Sequence, residues 1–255
     1  RIPMLKGPMQ NSLQRIIDGQ LPCGGWDYGY KQLTRWDMSV SSWQIQALKA
    51  GYVAGAGNHG LKQAIRNSVR FLKETAYEGP GFGYSNSSLT KPNLTGAGAV
   101  CMQILGAGNQ PEVQSSVSYV GSKRLKEYRE VLNNPGKFPE AASNWMYGWY
   151  YDTQAVFNAQ HSPTGQALWS RWQPVFEGVL TKAQHKEGYW EAKRGGSGGH
   201  GPSLDGRILT TCWAALQLEV YYRYLPTFNI KTMDKHRVDN PDLLMDIEDD
   251  DDGEE

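Results

Sequence analysis

The run LKQAIRNSVRFLKE at 61–74, the turn GPGFGY at 79–84 and the run LTGAGAVCMQILGAG at 94–108 carry the reading of the whole chain. In the first, Leu61, Ile65, Val69 and Leu72 recur at helical spacing, while Lys, Gln, Arg and Asn fill positions between them. That pattern predicts an amphipathic helix lying on a surface. The last run is apolar or small on every side, which suits a helix buried all round. Between the two stands a glycine-aromatic turn. The order is outer helix, tight turn, inner helix.

The same order recurs three more times. Leu13, Ile16 and Ile17 lead to GGWDYGY at 24–30 and then to DMSVSSWQIQALKAGYVAG from Asp37. Val113, Val117 and Val120, in the stretch from Pro111 towards Leu132, lead to NWMYGWYYDTQAVFNAQ at 144–160. QPVFEGVLTKAQ from Gln173, with Pro174 placed as a helix start, leads to KEGYW at 186–190, a glycine-rich loop and ILTTCWAALQLEVYYRYL from Ile208. The aromatic steps at Trp26, Phe82, Trp149 and Tyr189 lie 56, 67 and 40 residues apart, too irregular for a strict solenoid. A buried layer of helices inside an exposed one is what a two-layer helical ring writes into sequence. The glycines let the chain reverse tightly, and the aromatic behind each can plug the gap between neighbouring pairs.

Composition narrows the function classes. At 255 residues the chain can bury a large core. No run of about 18 apolar residues exists, so no membrane span is expected. No signal-peptide pattern is visible at the start, and the compartment stays open. Three cysteines argue against a disulfide framework. Cys101 and Cys212 sit in apolar stretches where buried thiols are common, and Cys23 lies in the Gly-Gly turn. The five histidines are scattered, so neither metal nor other cofactor is expected.

Net charge is zero but unevenly spread. Residues 239–255 hold ten acids and no Lys or Arg, leaving 26 basic and 16 acidic residues in 1–238. Such acidic runs are commonly solvated. Here a basic face on the same body or on a neighbouring chain is the natural partner, which allows self-association. No basic cluster interleaved with aromatics stands out, so nucleic acid is not expected.

GGWDY, GFGY and GYW, each followed by a small-residue helix, resemble the repeats of the prenyltransferase and squalene-hopene cyclase superfamily, the α/α toroids. GRILTTCWAALQLEVYYRYLP, RWDMSVSSWQIQALKA and MYGWYYDTQAVF look closer to uncharacterised terpene-cyclase-like repeat proteins of planctomycete- and lentisphaera-type bacteria. The resemblance covers roughly residues 8–228. It implies an all-α, α/α-toroid-like barrel of about four helix pairs in a domain at 1–228, followed by an acidic C-terminal tail at 229–255. It also implies inner helices around a central cavity whose mouth is formed by loops at one end.

The catalytic signatures of that superfamily are missing. No DxDD lies in the repeat region, and the dense run EDDDD at 248–252 stands outside it. The zinc-holding DxC pair has no match, since Asp205 and Cys212 are seven residues apart. The thioester motif GCGEQ has only CGG at 23–25 to set against it. Four pairs also fall short of the six in complete enzyme toroids.

Loops before the inner helices carry Asp27, Asp37, Asp152 and Asp205. Asp37 and Asp152 precede helical runs, so each can be a helix cap or first-turn acid. Alternatively, acids converging on one mouth would raise one another's pKa, and Asp37 or Asp152 could serve as a general acid. Tyr28, Tyr30, Trp36, Trp149, Tyr150, Tyr151 and Trp190 lie near these turns, where core packing and a ligand pocket are the competing roles. Arg207 heads the last inner helix and calls for a partner among the four loop acids, or else an anionic ligand group. His200, in a flexible loop, is either solvated or a mobile acid-base group. The expected ligand set is Trp26, Asp27, Tyr28, Trp36, Trp149, Tyr150, Tyr151, Trp190, Asp205 and Arg207.

Three functions compete. A binding module for a small-molecule ligand or a protein fits the missing signatures and is the preferred expectation. A terpenoid cyclase or isomerase with a different acid requires a dry, sealed cavity. A polysaccharide lyase or hydrolase requires an open polar groove. A filled centre favours the binding module.

Overall fold

The computed structural model describes residues 3–30, 35–85, 91–193 and 204–222. The acidic tail at 229–255, His200 and the side chain of Asp205 lie outside the described residues. The protein is all-α. Among the described residues its α-helices are α1 (Lys6–Asp18), α2 (Met38–Val53), α3 (Leu61–Arg70), α4 (Pro92–Ile104), α5 (Pro111–Asn133), α6 (Phe138–Ala159), α7 (Pro163–Ala183) and α8 (Leu204–Leu218). α3 runs on through a π-helical turn at Phe71–Ala76. Among the described residues, β-structure amounts to a two-stranded hairpin of Tyr77–Glu78 (β1) and Gly81–Phe82 (β2), with Tyr77 opposite Phe82, and a single bridge residue at Gly83.

Helix starts follow the local chemistry. The Asp37 carboxylate caps α2 by accepting from the Ser39 and Val40 amides, and the Ser162 hydroxyl caps α7 by accepting from Gly165 N. Pro92, Pro111 and Pro163 stand at first-turn positions, where a missing N–H costs nothing.

The even-numbered helices form an inner row, with α2 packing on α4, α4 on α6 and α6 on α8. The odd-numbered helices cover them: α1 and α3 pack on α2, α5 on α4 and α6, and α7 on α5 and α6. α4 is buried along nearly its whole length, as its all-apolar pattern requires. α4 and α6 run parallel, because Gly96 lies against Asp152 and Gln103 bonds to Ala155 O and Asn158. Ser42 O accepts from the Cys101 thiol at 3.6 Å, setting α2 beside α4.

The first two glycine-aromatic turns are hinge and wedge, as read. Trp26 is fully buried, its indole N–H donating to Ile16 O at 2.8 Å. Gly24 has φ 92°, and a Cβ there would stand 2.8 Å from the Asn67 carbonyl carbon. Phe82 is likewise fully buried.

The third turn is not one. MYGWYY lies inside α6, which begins at Phe138 rather than after Trp149. Gly148 is there for close packing: a Cβ would come within 2.8 Å of Asn93 Cα and 2.7 Å of the Arg124 guanidinium. Pro174 likewise sits inside α7, whose start is Ser162–Pro163. Cys212 is exposed rather than buried, because Gly206, Thr210, Ala214 and Gln217 form the inward stripe of α8 and position 212 falls opposite.

Candidate functional site

Two of the four loop acids meet, and a cation lies between them. Arg35 Nη1 is hydrogen-bonded to Asp27 Oδ1, and Arg35 Nη2 donates to Asp37 Oδ2 at 3.2 Å. The Asp37 side chain is fully buried and its Oδ1 also accepts from Ser39 N, Ser39 Oγ and Val40 N. Asp27 Oδ1 accepts from Tyr28 N at 2.8 Å. The two carboxylates push the Arg35 guanidinium further up, the Asp27 hydrogen bond contributing most. Arg35 also lies over the Tyr84 ring, 5.8 Å from its centroid. A hydrogen bond to Asp37 raises the Tyr84 phenol. Asp37 is therefore both a helix cap and an ion-pair partner.

Asp152 is elsewhere, deep within α6. Its Oδ2 accepts from Arg124 Nε at 2.8 Å, with both side chains closed to solvent. Arg124 spreads its other nitrogens to Glu127 Oε2 at 2.7 Å and Asn93 Oδ1 at 2.8 Å. Burial pushes the Asp152 carboxyl up to about 6, although Arg124 pulls it the other way. Burial prevails because water is gone and one protein cation replaces it. The sequence expectation of an acid in a loop before a helix is corrected: Asp152 joins α5 to α6 inside the protein.

Most of the expected aromatic ligand set is core. Trp36 packs edge-on against Phe71 at 5.2 Å, and Trp149 stacks on Tyr128 at 4.0 Å. Trp190 is buried with its indole N–H on Leu180 O at 2.8 Å. Tyr30 takes a positive φ of 53° and lies under Arg15. Tyr28 is the exposed one, at 67%. Arg207 pairs with Glu191 at 2.7 Å and lies over Tyr189 at 4.7 Å. Among the described residues its partner is thus a fifth acid, outside the four loop acids.

Tyr150 and Tyr151 do belong to a larger assembly, on the inner face. Trp43 of α2 meets Tyr151 of α6 at 6.1 Å and Trp213 of α8 at 6.3 Å. Trp213 in turn contacts Tyr147 at 5.5 Å and Tyr150 at 4.8 Å. Gln46 donates to the Tyr151 hydroxyl at 3.2 Å. Burial raises the Tyr147 and Tyr151 phenols, so both rings stay neutral. These rings pack against one another between α2, α6 and α8. Trp43 closes the cluster toward solvent and is 44% exposed, while α8 adds exposed Ile208 and Leu216.

Sequence reading missed Arg35, Arg124, Trp43, Tyr147 and Trp213. One signal was available for Arg124. It continues the buried stripe Val113, Val117, Val120 by one helical turn, and an arginine on a buried stripe demands an acid. Trp43 and Trp213 offered no such signal, since helix pattern alone does not tell which inner face meets which.

Among the described residues no group of three or more His, Cys, Asp or Glu side chains could hold a metal ion. Likewise no described helix is long and apolar enough to cross a membrane. No family model, curated protein sequence or solved structure matches this chain.

Proposed function

We propose that this chain is a toroid-like helical repeat protein of the prenyltransferase and squalene-hopene cyclase type that works as a binding module, using the aromatic inner face around Trp43. The alternation of covering and inner helices supports the family reading. One observation carries the function. Asp37 and Asp152, the two candidate proton donors, are each closed to solvent and engaged by an arginine, whereas Trp43 is 44% exposed. Rings in mutual contact between α2, α6 and α8 weigh against a dry chamber among them for a folded polyprenyl chain. A wall of Trp and Tyr suits a ligand with a flat apolar face, or an apolar protein segment.

Native mass spectrometry of freshly purified protein, before and after organic extraction, tests this. A bound mass present in the wild type and lost in Trp43→Ala supports the module. Turnover of a polyprenyl substrate that survives Trp43→Ala and disappears in Asp152→Asn would replace it with the cyclase reading.

A further inference from the structure

The outward face of α3 carries Lys62, Arg66, Arg70 and Lys73, spaced by four, four and three residues. At 3.6 residues per turn these fall in one stripe about 16 Å long. Lys62, Arg70 and Lys73 are exposed, and among the described residues none of the three holds an ion pair. Their polar contacts are neutral: Arg70 to Asn67 Oδ1 and Lys73 to Gln110 Oε1, both at 3.4 Å. No acid falls within 61–73, and the acid nearest in the chain, Glu74, stands four residues beyond Arg70, at the C-terminal end of the stripe. Other cationic surfaces are interrupted, as on α5, where Glu127 and Glu130 stand among Lys123, Lys126 and Arg129.

We propose that this stripe is the docking site of the chain's own acidic segment, residues 239–255. The charges complement each other: the three exposed cations Lys62, Arg70 and Lys73 stand against a segment with ten acids and no base. The length suffices. Sixteen residues, 223–238, separate Tyr222, at the end of the described chain, from Asp239. Extended, they span about 55 Å, against a radius of gyration of about 17 Å for a body of this size, so α3 is within reach. Docking would pair the −10 segment with a basic face that carries no acid over 61–73. It would also mask that face from polyanions until the segment is released. The inference is independent of the aromatic face and stands or falls separately.

Zero-length carbodiimide cross-linking of the full chain tests it, because that reagent joins only a carboxylate and an amine already in contact. Peptide mapping is expected to place cross-links from 239–255 mainly on Lys62 and Lys73. Their yield is expected to drop several-fold in 0.5 M salt and in Arg70→Glu, a variant on an exposed position whose fold is checked by circular dichroism. Cross-links spread evenly over Lys123, Lys126 and Lys182, or unchanged in folded Arg70→Glu, would overturn the proposal. Mixing isotope-labelled and unlabelled chains adds a further outcome. Predominantly mixed-label cross-links would overturn docking within one chain in favour of a second copy. A single-stranded oligonucleotide that binds the stripe without displacing the cross-links would reassign it to nucleic acid.

Discussion

Arg124 Nε donates to Asp152 Oδ2 at 2.8 Å in a place where neither side chain touches solvent, and this pair ties an outer helix to an inner one. Removing one partner of such a pair leaves the other charge buried and unpaired, at a cost of about 3–5 kcal/mol. Arg124→Met is therefore expected to be severely destabilised. Asp152→Asn keeps an oxygen for Arg124 Nε and is expected to lose markedly less. Urea unfolding of both variants checks the order, and equal losses would contradict it.

The same carboxyl makes a pH prediction. Asp152 titrates near 6 in the native protein against an ordinary value of 3.8. Between those values the native state holds a proton that the unfolded chain has released. By linkage, stability falls as pH rises from about 4 to about 6 and then levels off. Relative to Asp152→Asn, the wild type is expected to lose on the order of 2 kcal/mol across that window. Unfolding midpoints of both proteins at pH 4, 5, 6 and 7 provide the test.

Lys49 on α2 is buried, its ammonium 5.9 Å from the Tyr52 ring centroid, and loss of water lowers its pKa from 10.5 to about 8. A base depressed in the native state penalises folding fully below the native value and releases that penalty as pH rises toward the unfolded one. The wild type is thus expected to gain stability between about pH 8 and 10.5 relative to Lys49→Met, on the order of 2 kcal/mol. A flat difference between the two proteins over that range would contradict the assignment.

Gly96 sets the approach of α4 to α6. A Cβ there would stand 2.6 Å from Asp152 N and 2.8 Å from the Tyr151 carbonyl carbon, both backbone atoms that cannot swing aside. Gly96→Ala is expected to cost about 2 kcal/mol or more, since the helices must part. Gly57→Ala, with nothing within 4 Å of its Cβ position, is the near-neutral control. Thermal melts of the two variants side by side check the contrast.

The sequence reading located the helices better than it located their ends. Leu61, Ile65, Val69 and Leu72 revealed α3, and the all-apolar run after Leu94 revealed the buried α4, because helical periodicity is a local property. Gly148 misled it. A glycine followed by aromatics reads as a turn, yet here the missing side chain makes room for Asn93 and Arg124 from two other helices. Pro174 misled it in the same way, since a proline inside a long helix has the local signature of a helix start.

What the sequence by itself determined was the all-α class, the alternation of amphipathic and apolar helices and the wedge roles of Trp26 and Phe82. Each of these is written in spacing that a few consecutive turns of chain can express. Tertiary structure alone decided that Asp152 would be an internal ion-pair partner, that Asp27 and Asp37 would share Arg35, and that Trp43 would meet Tyr151 and Trp213 across the inner face. Those outcomes join residues up to 170 positions apart. Only the packed arrangement of the helices and their connecting loops brings their charges and rings within reach of one another.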